Sequence, residues 1–137
     1  MGRSEHLPSD ALLGVHILVV DDDEDARHLM RTILEYCGAL VTAVSSAVAA
    51  LRTLRTAIPD VLLSDISMPE HDGYWLIAQV RALPPDHGGE LPAVALTAHG
   101  RAHGPDRTLA AGFQAHLAKP VDAWELCRTI IGLVRRA

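Results

Sequence analysis

Five short apolar runs recur along the chain, each followed by a polar tip and then by a stretch with helical spacing, and this alternation constrains the fold most. They cover residues 16–20, 40–44, 61–64, 93–96 and 113–118. The runs are rich in Val, Leu, Ile and Ala, and most lack the scattered polar positions of an exposed helix, so they read as strands, the inner ones buried on both faces. Strands that alternate with helices imply right-handed crossovers and a parallel sheet covered on both sides.

The intervening segments carry the helical signals. From Asp25 onward, Ala26, Leu29, Met30, Ile33, Leu34 and Cys37 recur at helical spacing, and Gly38 follows where a left-handed cap would sit. Ser45 and Ser46 are candidate N-caps for an apolar face of Ala47, Val48, Leu51, Leu54 and Ile58, which Pro59 stops. Asp72-Gly73 marks the turn into a third helix, with Tyr74, Ile77 and Val80 or Trp75, Leu76 and Leu83 inward, and Pro84-Pro85 ends it. A weak helix is expected around 107–111, inside a soft, Gly-interrupted stretch from Ala98 to Gly112. Asp122-x-x-Glu125 opens a last helix with Leu126, Ile130, Ile131 and Val134 on one face. The expected architecture is an α/β, flavodoxin-like (βα)5 doubly wound parallel sheet of five strands, its order 2-1-3-4-5 taken from fold analogy. Residues 1–14 read as a tail or linker, 15–134 as the domain and 135–137 as a C-terminal tail, with no output domain expected after Val134.

Composition narrows the class. At 137 residues, 49% apolar and 21% charged, the chain fits one folded domain. No apolar run approaches the roughly 18 residues of a membrane span, and no leader pattern opens the chain, so a cytoplasmic protein is expected. The net charge of -5 and the lack of a basic stripe argue against direct nucleic-acid binding. Cys37 and Cys127 lack metal-type spacing and read as reduced, buried hydrophobes. His99 and His103 stand four apart, but Gly100 and Gly104 disfavour the helix that would align them as metal ligands. Trp75 and Trp124 read as packing or surface contacts on their helices.

Chemistry concentrates at the strand tips. Strands 1, 3, 4 and 5 run respectively into Asp21 and Asp22, Asp65, Thr97, and Lys119. In a parallel sheet these residues converge on one edge, where open α/β folds bind ligands. Three carboxylates brought together repel one another unless a cation neutralises them, and a hard, all-oxygen donor set suits Mg2+. A carboxylate can also attack a phosphoryl group, with a hydroxyl and a lysine to contact the transferred oxygens.

The segments V-V-D-D, L-L-S-D-I-S-M-P-E-H-D-G, A-L-T-A and L-A-K-P, in this order over about residues 15–134, resemble the signature segments of response-regulator receiver domains. These are the phosphoacceptor modules of two-component signalling. The resemblance implies that Asp65 is the phosphoacceptor. It implies that Asp22, Asp65 and the backbone carbonyl of Ser67 bind Mg2+ directly, with Asp21 acting through water. It assigns Thr97 and Lys119 to the phosphoryl group and a cis geometry to the Lys119-Pro120 bond. The implied partners are a histidine kinase or histidine phosphotransfer protein, with a downstream protein or a second copy as output. Segments 92–98 and 111–122 look closer to receivers of hybrid histidine kinases than to those of transcription factors. Asp23, Glu24 and Asp25 are not carried over and read as loop and helix start.

One position departs from the pattern. Receivers commonly place Tyr or Phe three positions before the lysine, and here that position is His116. Its ring could rotate as the aromatic does, respond to pH, or be a strand-edge residue, and these readings stay open. Ser67 and His99, two positions beyond Asp65 and Thr97, flank the expected path of the hydrolytic water and are candidates for tuning phosphate lifetime. Two other functions compete with the signalling module. A magnesium-dependent aspartyl-phosphate phosphatase usually needs an acid two positions after the nucleophile, where this chain has Ser67. A phosphate-independent interaction module would not need Asp21, Asp22, Asp65, Thr97 and Lys119 together.

Overall fold

The computed structural model describes residues 9–98 and 105–135. Its elements are β1 (His16–Val20), α1 (Glu24–Tyr36), β2 (Leu40–Val44), α2 (Ala47–Thr56), β3 (Val61–Asp65), α3 (Gly73–Arg81), β4 (Ala93–Thr97), α4 (Pro105–Ala111), β5 (Ala115–Ala118) and α5 (Ala123–Arg135), with a 3-10 turn at Pro85–His87. The five strands form one sheet in the order β2-β1-β3-β4-β5, and every pairing is parallel. The expected flavodoxin-like (βα)5 topology is therefore the observed one.

The two faces of the sheet carry separate cores. Ile17, Val19, Leu63, Val94 and Leu96 pack with Met30 and Leu34 of α1 and with Leu126 and Ile130 of α5. Leu18, Val20, Leu62, Ala93 and Ala95 face the other way, against Ala50 and Leu54 of α2 and Leu76, Ile77 and Val80 of α3. This two-sided burial explains why the central strands read as apolar runs rather than as alternating ones. β3 and β4 are buried along their whole length, whereas the edge strand β2 is not.

Helix ends follow the local chemistry. The side chain of Asp23 accepts from Ala26 N, that of Ser46 from Ala49 N and that of Asp72 from Trp75 N, each satisfying a first-turn donor. Asp122 Oδ2 does the same for Glu125 N at 2.9 Å. Glu24 and Asp25 lie in the first turn of α1, where negative charge suits the helix dipole.

Several expectations are corrected. Leu29, Val48 and Ile58, read as inward-facing, are 53%, 40% and 45% exposed. Leu29 lies one position off the Met30–Leu34–Cys37 stripe, and Val48 one off the Ala47–Ala50–Leu54 stripe. Ile58 lies beyond α2, because a residue before proline is pushed out of helical geometry. Leu12, assigned to the tail, is fully buried, and its N–H donates to Cys37 O at 2.9 Å. The fifth strand begins at Ala115 rather than Phe113. Gly112, at φ +123, turns the chain there, and Phe113 is buried among the α3-side core instead of pairing along the strand.

Arg81 ties this corner together. It donates to Gly112 O at 3.0 and 2.7 Å, to Gly89 O at 3.0 Å and to Gln114 Oε1 at 3.0 Å. Cys37 and Cys127 are both buried and free, with their sulfurs 3.0 Å apart, and burial with the neighbouring Cys37 pushes the Cys127 thiol up to about 12. No helix among the described residues is long and apolar enough to cross a membrane.

Candidate functional site at the strand tips

Register brings the site together. β1 pairs with β3 from Ile17↔Val61 to Val20↔Ser64, so Asp21 and Asp65 emerge side by side. β3 pairs with β4 through Asp65↔Leu96, and β4 with β5 through Thr97↔Ala118, which sets Thr97 and Lys119 beside them. A backbone hydrogen bond from Lys119 N to Thr97 O, 2.7 Å long, fixes the last junction, and the Lys119-Pro120 bond that follows is cis.

The carboxylates of Asp21, Asp22 and Asp65 each offer an oxygen within 4.8 Å of the others. Asp21 is fully buried, Asp65 is 5% exposed and Asp22 faces solvent. Asp21 Oδ1 accepts from Asp23 N at 2.9 Å, and its backbone carbonyl accepts from Arg27 Nη1 at 2.8 Å. The first of these bonds turns the chain so that Asp22 projects outward between two anchored acids. Lys119 Nζ lies 2.9 Å from Asp21 Oδ2 and 3.2 Å from Asp65 Oδ2, one cation bridging two buried anions.

These contacts do not fully compensate Asp65. Burial and then the neighbouring Asp21 raise its pKa, outweighing the opposing pull of Lys119 and of Ser67 N, which donates to Asp65 Oδ1 at 3.3 Å. Burial alone would lower the Lys119 pKa, but its hydrogen bond to Asp21 and the charges of Asp65 and Asp21 raise it on balance, so the ammonium stays charged. The site thus holds three carboxylates against one lysine, with oxygen donors only. That excess of clustered negative charge matches a hard divalent cation such as Mg2+, which needs oxygen ligands and keeps several waters.

The chain matches the family model for the response regulator receiver domain over residues 17–131. The chain belongs to that family. It is 48% identical over 119 residues to a 14.6 kDa protein from the sodA1 3′ region of Leptolyngbya boryana, spanning 87% of this chain and 89% of that one. It is 35% identical over 130 residues to the sensor histidine kinase GacS of Pseudomonas protegens, covering 94% of this chain but only 14% of the kinase. Among solved structures, the receiver domain of sensor histidine kinase PA1611 from Pseudomonas aeruginosa, which has a magnesium ion in its active-site cleft, superposes with a TM-score of 0.81 at 30% identity, over 89% of this chain and 98% of that one. The chain is a receiver domain of two-component signalling.

Within this receiver, the structure brings Asp21, Asp22, Asp65, Thr97 and Lys119 to one edge, as the alternation of strands predicts. Ser67 is exposed on the loop after β3. His99 and His103 lie outside the described residues. His116 is half-buried and turned inward: its Nε2 is 2.6 Å from Thr97 Oγ1. Sequence reasoning missed two supporting groups. Arg27 holds the Asp21 carbonyl from one turn into α1, and nothing in its helical position marks it. Gly73 marks a turn in the sequence, yet a Cβ there would stand 2.6 Å from Asp65 O and 2.8 Å from Ile66 Cα. Its role is to let α3 close against the end of β3.

Proposed function

We propose that this receiver accepts a phosphoryl group on Asp65 from a histidine kinase or histidine phosphotransfer protein, in a reaction dependent on Mg2+. The observation that carries this reading is the bridge of Lys119 across Asp21 and Asp65, beside the exposed Asp22. An Asp65 oxygen attacks phosphorus as the N–P bond of the donor phosphohistidine breaks, and the leaving imidazole nitrogen takes up a proton. Asp21, Asp22, Asp65 and the Ser67 carbonyl are assigned to the metal. Bound there, Mg2+ supplies charge neutralisation for the carboxylates and the transferring oxygens.

Lys119 is already hydrogen-bonded to Asp65 Oδ2 and is placed to exchange that carboxylate for a phosphoryl oxygen. Thr97, at the tip of β4 between the ends of β3 and β5, supplies a hydroxyl donor. The added dianion then biases the loop and helix after β4, and with them the face offered to a downstream partner or a second copy. Ser67 and His99 are assigned to tuning the lifetime of the acyl phosphate. The domain is assigned to the cytoplasm, where its kinase partners present phosphohistidine, and to signalling rather than to turnover of an external substrate.

The test is incubation with a small phosphodonor and Mg2+, followed by intact mass. Wild type gains one phosphoryl group and Asp65→Ala gains none. A gain that survives in Asp65→Ala removes the assignment, and rapid hydrolysis of unrelated phosphomonoesters replaces it with a phosphatase.

A further inference from the structure

Thr97 Oγ1 and His116 Nε2 meet at 2.6 Å, a strong hydrogen bond between neighbouring strands. The register sets Ala95 opposite His116 and Thr97 opposite Ala118, so the two side chains are diagonal neighbours on one face of the sheet. Thr97 is 2% exposed, and among the described residues His116 is the hydrogen-bond partner of its hydroxyl.

A threonine hydroxyl has a single proton to donate. Buried without an acceptor, that proton would be costly to leave unpaired. Among the described residues, the lone pair of a ring protonated at Nδ1 is an acceptor within reach. We infer that Thr97 donates to His116 Nε2 in the resting protein, so that the imidazole competes with the incoming phosphoryl group for the one Thr97 proton. His116 is thereby a positioning residue acting through Thr97.

This inference rests on the proposed role of Asp65 and adds a regulatory element to the same site. Phosphorylation requires the hydroxyl to leave the ring, and the ring then loses its partner and is released to move. The backbones stay joined through Lys119 N and Thr97 O, so the exchange involves side chains rather than sliding strands. A phenyl ring at position 116 offers no acceptor, whereas the amide of glutamine offers one.

Two measurements on the full chain test it. The first is the 15N spectrum of the imidazole in the unphosphorylated protein, at a pH where the ring is neutral. It should report a proton on Nδ1 and an accepting Nε2, and Thr97→Val should shift the Nε2 signal. A ring protonated at Nε2, or a signal indifferent to Thr97→Val, overturns the inference. The second is the rate of Asp65 phosphorylation from acetyl phosphate with Mg2+. His116→Phe should gain at least about threefold, while His116→Gln stays close to wild type, and the gain should vanish in a Thr97→Val background. An unchanged rate in His116→Phe, or an equal gain with Thr97→Val, overturns the competition. A wild-type chain that takes up no phosphoryl group overturns the underlying reading and the competition with it, while the spectrum still decides whether the bond exists.

Discussion

The ammonium of Lys119 lies 2.9 Å from the carboxylate of Asp21, a residue 98 positions earlier in the chain and wholly shielded from solvent. The same ammonium reaches Asp65 at 3.2 Å, so its removal strands two buried anions. Lys119→Met should therefore destabilise the fold by about 2–4 kcal/mol at neutral pH, since breaking a buried pair leaves charge uncompensated. Urea denaturation would measure it. The loss should be smaller in acid, where Asp65 takes up a proton, and an equal loss at both pH values would contradict the bridge.

Asp65 itself works against stability at neutral pH. Its pKa in the folded chain is raised above the ordinary 3.8 by burial and by Asp21. The folded state thus binds the proton more tightly than the unfolded one, and the stabilisation present below pH 3.8 is lost as pH rises through the folded value. Asp65→Asn removes this burden. Its melting temperature at neutral pH should exceed that of wild type by roughly 2–5 °C, and the advantage should shrink as the pH falls toward 3.8. A variant that melts lower than wild type at neutral pH would show that the Lys119 contact outweighs burial.

Divalent cation should stabilise the chain by relieving the same repulsion. At ten times its dissociation constant, Mg2+ should add about 1.4 kcal/mol, read as a rise in melting temperature. Asp22→Asn removes the exposed member of the acidic trio and should weaken that response severalfold. Equal responses in the two proteins would exclude Asp22 as a ligand.

Two glycines offer an internal comparison. Gly73→Ala would force a Cβ to 2.6 Å from Asp65 O and should cost about 1–3 kcal/mol from overpacking. Gly132, exposed within α5, has nothing within 4 Å of an added Cβ. Gly132→Ala should instead stabilise by about 0.5–1 kcal/mol through helix propensity. Thermal denaturation of both variants checks the pair, and similar shifts in both would contradict the close approach at Gly73.

Local chemistry alone determined much of this protein. The β-branched and Leu-rich runs mark strands because a parallel sheet buries both faces, and Asp72, Ser46 and Asp122 mark helix starts because their side chains can satisfy first-turn donors. The tips of strands 1, 3, 4 and 5 also marked the candidate site residues Asp21, Asp22, Asp65, Thr97 and Lys119. Other features depended on which surfaces met. Leu29 and Leu34 both fit a helical stripe, and only the direction in which α1 faces the sheet buries one and exposes the other. Leu12 has no periodic neighbours to mark it, yet it fills a gap beside the end of α1. Gly73 is legible as a turn, but the closeness of β3 that requires it is not. The bond between Thr97 and His116 likewise arises from the pairing of β4 with β5, because hydrogen bonds between distant side chains follow register and rotamer, neither of which a linear order of residues specifies.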